Sequence, residues 1–165
     1  MYNYYKISKQ INMTVVGEKS NAELGTINDV LLRKNDLKII GYVVLVGKVI
    51  RWARFLHADS VKKMANNIIY VDDASVLLPL SNIKKNSTIT SFLKEIKGAQ
   101  IALDGREIGN ISDALCNTEI GEIAYFEVSD GFLEDILHGR QQININNDIV
   151  FGNNNVEIKN KGDQI

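Results

Sequence analysis

The feature that most constrains this chain is an internal repeat. Residues 23–31 read Glu-Leu-Gly-Thr-Ile-Asn-Asp-Val-Leu, and residues 107–115 read Glu-Ile-Gly-Asn-Ile-Ser-Asp-Ala-Leu. Across this constant offset of 84 residues, the positions keep their chemical type. Repetition at a fixed spacing indicates copies of one structural unit. A chain of 165 residues is long enough for two compact modules, so we predict two similar modules in tandem.

Both copies have the composition of short strands joined by tight turns. β-Branched and aromatic residues occur in short runs, and Gly, Asn and Asp separate these runs. The clearest hairpin turns at Gly47, which suits the first position of a type II′ turn. Helical spacing of apolar residues occurs over residues 132–137. We therefore predict an all-β fold with minor α content.

Two features indicate the boundary between the modules. Pro79 is the only proline, and proline is tolerated at a strand end or a sheet edge but not in a central strand that needs its N–H. Residues 81–88 are polar and weakly patterned, which is typical of a linker. We place the boundary near residue 90.

The two repeated segments, each followed by a turn and an apolar strand, resemble the PRC-barrel family. The resemblance covers residues 13–80 and 98–158, which we take as the bounds of two domains. It implies two tandem small six-stranded PRC-type β-barrels joined by a short linker. Members include part of a photosynthetic reaction-centre subunit, half of a ribosome maturation factor and many stand-alone bacterial proteins, and this chain is most similar to the last group. The shared motif is a signature of fold, so the resemblance implies no catalytic residue.

Composition argues against several classes of protein. The chain is 45% hydrophobic and 24% charged, as ordinary globular proteins are. Its net charge of -1 provides no global field that would attract nucleic acid or anionic lipid. A single cysteine cannot form an internal disulfide, so we expect a cytoplasmic protein. No run of about 18 apolar residues is present to form a transmembrane helix.

Three side chains are candidates for catalysis. Asp29 and Asp113 recur at equivalent positions, and paired carboxylates can perform acid–base chemistry. An Asp that follows Asn or Ser near a strand end is more typical of a turn cap bonded to its own backbone. Cys116 aligns with Leu32, which predicts a buried thiol, and no neighbouring residue in the sequence would lower its pKa.

No residue pattern predicts a cofactor or a metal ion. The glutamates lack the spacing of a calcium loop, and His57 and His138 lie far apart in the sequence. The glycines are isolated, unlike those of a phosphate-binding loop. Lys62–Lys63 and Lys84–Lys85 are short basic pairs of the kind usually found in solvated loops. We expect no catalytic residue, no cofactor and no metal site.

A partner-binding surface is predicted on the strand after Gly47. Alternation there turns Ile50, Trp52 and Leu56 toward the core. The outer face would then carry the three candidate partner-binding residues, Arg51, Phe55 and His57. An exposed Phe beside Arg resembles an interface hot spot. The alternative is that Phe55 packs under the linker or against the second module.

The resemblance to stand-alone bacterial PRC-barrel proteins implies an adaptor of a bacterial cell. Together with the absence of a catalytic pattern, it favours a non-catalytic protein-interaction or adaptor module, which binds another protein or a second copy of this chain. The first alternative is a ribosome- or RNA-associated maturation factor, which the resemblance to the maturation-factor members and the short basic pairs favour and the balanced charge opposes. An enzyme with a site between the barrels is least favoured, because no constellation of His, Cys, Ser and acidic residues is visible.

Overall fold

The computed structural model describes residues 3–129, 141–145 and 148–159. Within these ranges the chain is mostly β, and its helical segments are single turns of three to five residues. The strands are β1 (Tyr4–Lys6), β2 (Thr14–Gly17), β3 (Ala22–Arg33), β4 (Ile39–Val46), β5 (Trp52–His57), β6 (Lys63–Ala65), β7 (Ile68–Val71), β8 (Leu77–Pro79), β9 (Ile89–Ser91), β10 (Gln100–Leu103), β11 (Arg106–Asn117), β12 (Ile123–Ser129), β13 (Gln141–Asn144), β14 (Asp148–Phe151) and β15 (Asn155–Lys159). The helical turns are Ile7–Gln10, Ala58–Ser60, Ala74–Val76, α1 (Ser81–Lys84) and the π-helical turn Phe92–Ile96. The helical turn expected over 132–137 lies outside the described residues.

The strands form two sheets that correspond to the two halves of the sequence. The first sheet has the order β6-β7-β2-β3-β4-β5-β8, and β9 also pairs with β3. The second has the order β13-β12-β11-β10-β15-β14, and β1 also pairs with β11. Ile27 pairs with Val44 in the first sheet as Ile111 pairs with Val128 in the second, with the offset of the repeat. The predicted all-β fold with two tandem units is confirmed.

Tight turns join several of these strands. Asp104 and Gly105 link β10 to β11 with φ values of 48° and 79°, and Asn66 and Asn67 link β6 to β7 with 52° and 62°. Two consecutive residues with positive φ are typical of the type I′ hairpin turn. The hairpin predicted at Gly47 is present, but Val46 pairs with Trp52, so five residues form the connection instead of a two-residue turn.

The two modules exchange their entry segments. Strand β1 precedes the first module in the sequence but pairs with β11 of the second, whereas β9 precedes the second module and pairs with β3 of the first. The registers are equivalent, because Tyr5 lies opposite Cys116 as Thr90 lies opposite Leu32. Each module's entry segment therefore extends the sheet of the other module.

Asp29 and Asp113 fasten these exchanged segments. Each follows a register shift in its strand, in β3 between Ile27 and Asp29 and in β11 between Ile111 and Asp113. Such bulges redirect a side chain. The Asp113 carboxylate accepts hydrogen bonds from the Ser8 N–H (3.2 Å) and hydroxyl. The Asp29 carboxylate accepts from the Leu93 N–H (3.1 Å) and from the hydroxyl of Ser91.

The prediction that these two aspartates cap turns near strand ends was therefore wrong about where they lie. Each does accept a bond from the backbone of the next residue, Val30 or Ala114. They are nonetheless buried within long strands, not exposed at turns, and their other donors come from the opposite module's entry segment. The structure assigns them to holding the modules together.

Backbone pairing and packing continue across the interface. The Ile39 N–H donates to the Gly121 carbonyl over 2.8 Å, and the Ile123 N–H donates to the Leu37 carbonyl over 3.1 Å. These two bonds are again equivalent under the repeat. Buried apolar side chains of both modules form one continuous cluster, including Leu32, Leu56, Phe92, Phe126 and Ile158. The modules therefore share one core.

The segment between the modules is more ordered than the predicted linker. Pro79 ends β8, an edge strand, as proline chemistry requires. Residues Ser81–Lys84 then form the helical turn α1, and Ile83 packs with Ile89 against a small apolar cluster on the first sheet. The segment assigned to the linker thus covers part of the first module.

Cys116 lies in the core, as its alignment with Leu32 predicted. Only 1% of its surface is exposed, and Leu32 is fully buried. Burial raises the pKa of the Cys116 thiol to about 12, and the nearby Glu122 carboxylate adds to the rise. The reactive thiolate is therefore rare at neutral pH.

We expect Cys116 to react with a thiol reagent at pH 8 at least about 100-fold more slowly in the native protein than in denaturant, because the thiol is both shielded and protonated. Absorbance of the anion released from Ellman's reagent measures both rates. Native labelling at a rate close to that of the unfolded chain would contradict the burial of this side chain.

Candidate functional site

The predicted partner-binding face on β5 is not arranged as its alternation suggested. Phe55 is buried, and it packs with Leu31 and Val43 beneath Leu80, Ile83 and Ile89 of the connecting segment. Its assignment to an exposed surface was therefore wrong, and the alternative that it packs under the linker is confirmed. Both faces of β5 are covered at this point, since the next residue, Leu56, points into the shared core.

The inward placement of Ile50 and Trp52 was also wrong. Ile50 lies in the connection before β5 and is 64% exposed, whereas Trp52 begins β5 and is 58% exposed. Trp52 shares the strand face of Leu56, but it stands four residues nearer the hairpin tip, beyond the buried part of the sheet. Alternation identifies a face correctly without showing where the core ends along that face.

These placements create an exposed apolar surface at the tip of the β4–β5 hairpin. Val49 is 96% exposed and lies beside Ile50 in the same connection, followed by Arg51 and Trp52. We call Val49, Ile50, Arg51, Trp52 and Arg54 the hairpin surface. Large apolar side chains that are exposed together on a protein surface often mark a site of interaction with another protein, a membrane or a ligand.

The hairpin surface is positively charged. Lys48, Arg51 and Arg54 lie within it or at its edge, and all three are exposed. No acidic residue occurs between Asp36 and Asp59 in the sequence. An apolar patch surrounded by cations favours an acidic partner that also carries an apolar side chain.

A shallow depression adjoins Trp52. It has a volume of about 610 Å³ and is lined by Trp52, Ala53, Arg54, Pro79, Leu80 and Ser81. Strand β5, the edge strand β8 and the start of α1 form its walls. An indole beside a depression can hold a side chain of a partner, as in many interface hot spots.

The structure separates the other two predicted site residues, Arg51 and His57. Arg51 belongs to the hairpin surface. His57 is exposed at the far end of β5, where its Nδ1 accepts the Asp59 N–H over 3.1 Å and its ring meets Phe55 edge-on at 6.0 Å between centroids. The structure thus separates His57 from Arg51 by most of the strand.

The structure also describes most of the other residues considered as metal ligands or as contacts to RNA. The described residues contain no group of three or more His, Cys, Asp and Glu side chains that could hold a metal ion. The Lys62 ammonium pairs with Asp72 and Glu18, and Lys63 lies 5.8 Å from the Tyr70 ring. The charge of Lys62 is therefore neutralised locally, which argues against the Lys62–Lys63 pair as a binding site for RNA. His138 lies outside the described residues.

Comparison with protein families agrees with this architecture. The PRC-barrel domain model matches twice, over residues 3–85 and 89–165. The chain belongs to the PRC-barrel domain family. Both matches include an entry segment, so each PRC-barrel unit in the sequence contains the strand that it contributes to the other unit.

A comparison with curated proteins finds no match. Among the described residues of this tandem PRC-barrel protein, the helical segments are too short to span a bilayer.

Proposed function

We propose that this tandem PRC-barrel protein is a non-enzymatic interaction module that binds another protein through the hairpin surface. The observation that carries the proposal is the exposure of Val49, Ile50 and Trp52 beside Arg51 and Arg54. Trp and Arg are the residues most enriched at binding hot spots, because each covers a large area with specific geometry.

The architecture suits such a role. The exchanged entry segments and the shared core fix the two sheets to one another. A rigid scaffold reduces the entropy lost when a partner binds. The partner that fits is a protein segment with an apolar side chain, for the depression beside Trp52, flanked by Asp or Glu for the surrounding cations.

The test uses capture of partners from cells that naturally contain the protein, with photo-crosslinking from position 49. We expect the double variant Ile50→Ala, Trp52→Ala to weaken capture of the crosslinked partner at least tenfold without lowering the melting temperature, because more than half of each residue's surface is exposed. Arg51→Glu with Arg54→Glu should weaken it also, since it reverses the charge that an acidic segment requires.

Val150→Ala is the matched control, because Val150 is a similarly exposed apolar residue in the second module. It should leave capture unchanged. Phe55 is left unchanged in these variants, since loss of this buried side chain would destabilise the fold. Capture that survives both surface variants, or a crosslinked segment that is basic, would contradict the proposal. Crosslinks to RNA, with affinity that falls steeply with salt, would support the maturation-factor alternative instead.

A further inference from the structure

A cleft lies where the two modules meet, away from the hairpin surface. Its volume is about 720 Å³, within the range of small-molecule sites in proteins. The first module supplies residues of β4 and the 58–65 segment, the second supplies residues 116–121, and Tyr5 comes from the exchanged strand β1. Its apolar lining includes Met13, Ile39, Tyr42, Val61 and Met64.

The repeat allows each lining position to be compared with its counterpart in the other module. Tyr42 pairs with Val30 as Phe126 pairs with Ala114, so Tyr42 and Phe126 are equivalent. Both are buried. Because Phe126 fills this position without a hydroxyl, packing alone does not require the hydroxyl of Tyr42.

The same difference recurs at neighbouring positions. Tyr5 is equivalent to Thr90, because they pair with Cys116 and Leu32 respectively. Gln10 is equivalent to Ile96. Gln10 lies two residues before Asn12, which has a positive φ and donates its N–H to the Ile27 carbonyl. Ile96 lies two residues before Gly98, which has a positive φ and donates its N–H to the equivalent carbonyl, that of Ile111. Polar or larger groups thus replace smaller or apolar ones at Tyr5 and Tyr42, which line the cleft, and at Gln10, which lies beside Tyr5 but outside the lining.

These polar groups are only partly satisfied. Gln10 is fully buried, and neither its amide oxygen nor its nitrogen has a hydrogen-bond partner of good geometry among the described residues. The Tyr42 hydroxyl has no hydrogen-bond partner among the described residues, and the Tyr5 hydroxyl donates to the Met64 sulfur, a weak acceptor, over 3.4 Å. Among the described residues, only the Gln10 side chain has fully buried polar atoms without a partner, whereas Tyr42 lines the cleft, where its hydroxyl is free to donate a hydrogen bond to a ligand.

The buried and half-buried residues of the cleft lining carry no charge. Burial raises the pKa of Tyr5 to about 12, with Cys116 adding to the rise and the Gln10 amide opposing it, and burial likewise raises the pKa of Tyr42. Both phenols are therefore neutral donors at physiological pH. The charged lining residues Lys38, Asp59, Lys63 and Glu119 are exposed, and Lys62 is paired elsewhere. A charged group on a ligand would have no buried counter-charge.

We propose that this inter-module cleft binds an uncharged ring compound whose carbonyl or ring nitrogen accepts a hydrogen bond from the Tyr42 hydroxyl. Thioether and aromatic side chains pack well against the faces of rings, and methionine adapts to their shape. Both methionines other than Met1 line this cleft. The site is separate from the hairpin surface and does not depend on the function proposed for that surface.

The test titrates the full-length protein with riboflavin and with thymidine, two uncharged carbonyl-bearing rings, and follows binding by calorimetry and ligand-observed NMR. We expect at least one of them to bind saturably with a Kd of about 1 mM or lower. Benzoate, a charged ring, should bind at least tenfold more weakly. Tyr42→Phe should weaken the uncharged ring at least tenfold without lowering the melting temperature, because Phe126 shows that phenylalanine fits the equivalent position.

Tyr125→Phe is the matched control, since Tyr125 lies outside the cleft lining and contacts Tyr4. It should leave affinity unchanged. If Tyr42→Phe does not fold, nuclear Overhauser contacts between the bound ring and the Tyr42 side chain of the wild-type protein decide the same question, because Tyr42 lines the cleft. The proposal is overturned if neither ring binds, if benzoate binds as well, or if the variant keeps the wild-type affinity.

Discussion

Replacing Asp113 with alanine is expected to lower the free energy of unfolding by about 2–5 kcal/mol. The carboxylate is buried and accepts bonds from Ser8 and from the Ala114 N–H, which lies 2.9 Å away. Alanine would leave these donors buried without an acceptor. Asp29→Ala should cost a similar amount, because Asp29 receives the equivalent bonds from Ser91, Leu93 and Val30. Urea unfolding followed by far-UV circular dichroism measures both losses.

These variants should also affect cooperativity. Asp113 holds the segment that enters the first module, although Asp113 itself belongs to the second. Loss of its bonds weakens the connection between the modules as well as the local structure. Two resolved transitions, or one broader transition with a lower m-value, would be consistent with this coupling.

Asp36→Ala is the control, because Asp36 forms only an exposed ion pair with Arg33 and caps a turn. Exposed ion pairs contribute little to stability. Asp113→Asn should fall between the two, since an amide keeps one acceptor oxygen. If Asp113→Ala is as mild as Asp36→Ala, the exchanged segments are not held by these carboxylates.

The repeat was the part of the fold that could be predicted best. Alignment at one offset identified β3 and β11 as equivalent strands, and it identified Cys116 as a core position through Leu32. Such inferences succeed because both copies must satisfy the same pattern of burial. The pattern of buried and exposed residue types depends on neighbouring residues in the sequence, and it occurs twice in one chain.

The exchange of entry segments could not be predicted in the same way. Tyr4–Lys6 and Ile89–Ser91 are three residues long, too short to show an alternation that would assign them to a sheet. Their partners are distant in the sequence, and a strand's own residues do not specify which edge it joins. The functions of Asp29 and Asp113 depended on this missing information.

The placement of Phe55 and Trp52 was predicted wrongly for a different reason. Alternation along β5 separates Phe55 from Leu56 correctly, but the connecting segment also covers the outer face there. Trp52 was expected in the core because it is apolar, whereas the strand extends beyond the core at that end. A five-residue connection rich in exposed apolar and basic residues, without acidic ones, was the available signal.

The inter-module cleft shows what comparison of the copies can add. The sheet registers show that Tyr42 and Phe126 occupy equivalent positions. With the modules aligned in this way, the sequence shows at which positions their residue types differ. Departures toward polar groups at buried positions are costly, so they mark positions where something other than packing is selected. The same comparison finds no departure at Gly25 and Gly109, which points to a requirement of the fold itself.

The second large effect is expected at this repeated glycine. Gly25 lies inside β3, where a Cβ atom would stand 2.4 Å from the Leu45 carbonyl oxygen and 2.9 Å from Val44 Cγ1. Gly109 is equivalent in β11, with the Ser129 carbonyl oxygen 2.5 Å from the Cβ position. The glycines therefore permit close approach of the neighbouring strand, and both lie beside bulges in their strands.

We expect Gly25→Ala to lower the free energy of unfolding by about 3 kcal/mol or more, because the closest atom is backbone and can move only if the β3–β4 pairing shifts. Urea unfolding measures the loss. The control is Gly98→Ala, where the Cβ has open space but φ is +84°, so that only backbone strain of about 1–2 kcal/mol is added. A loss at Gly25 no greater than that at Gly98 would mean that β3 and β4 can separate cheaply. The close approach of these strands would then not be what keeps glycine at this position in both copies.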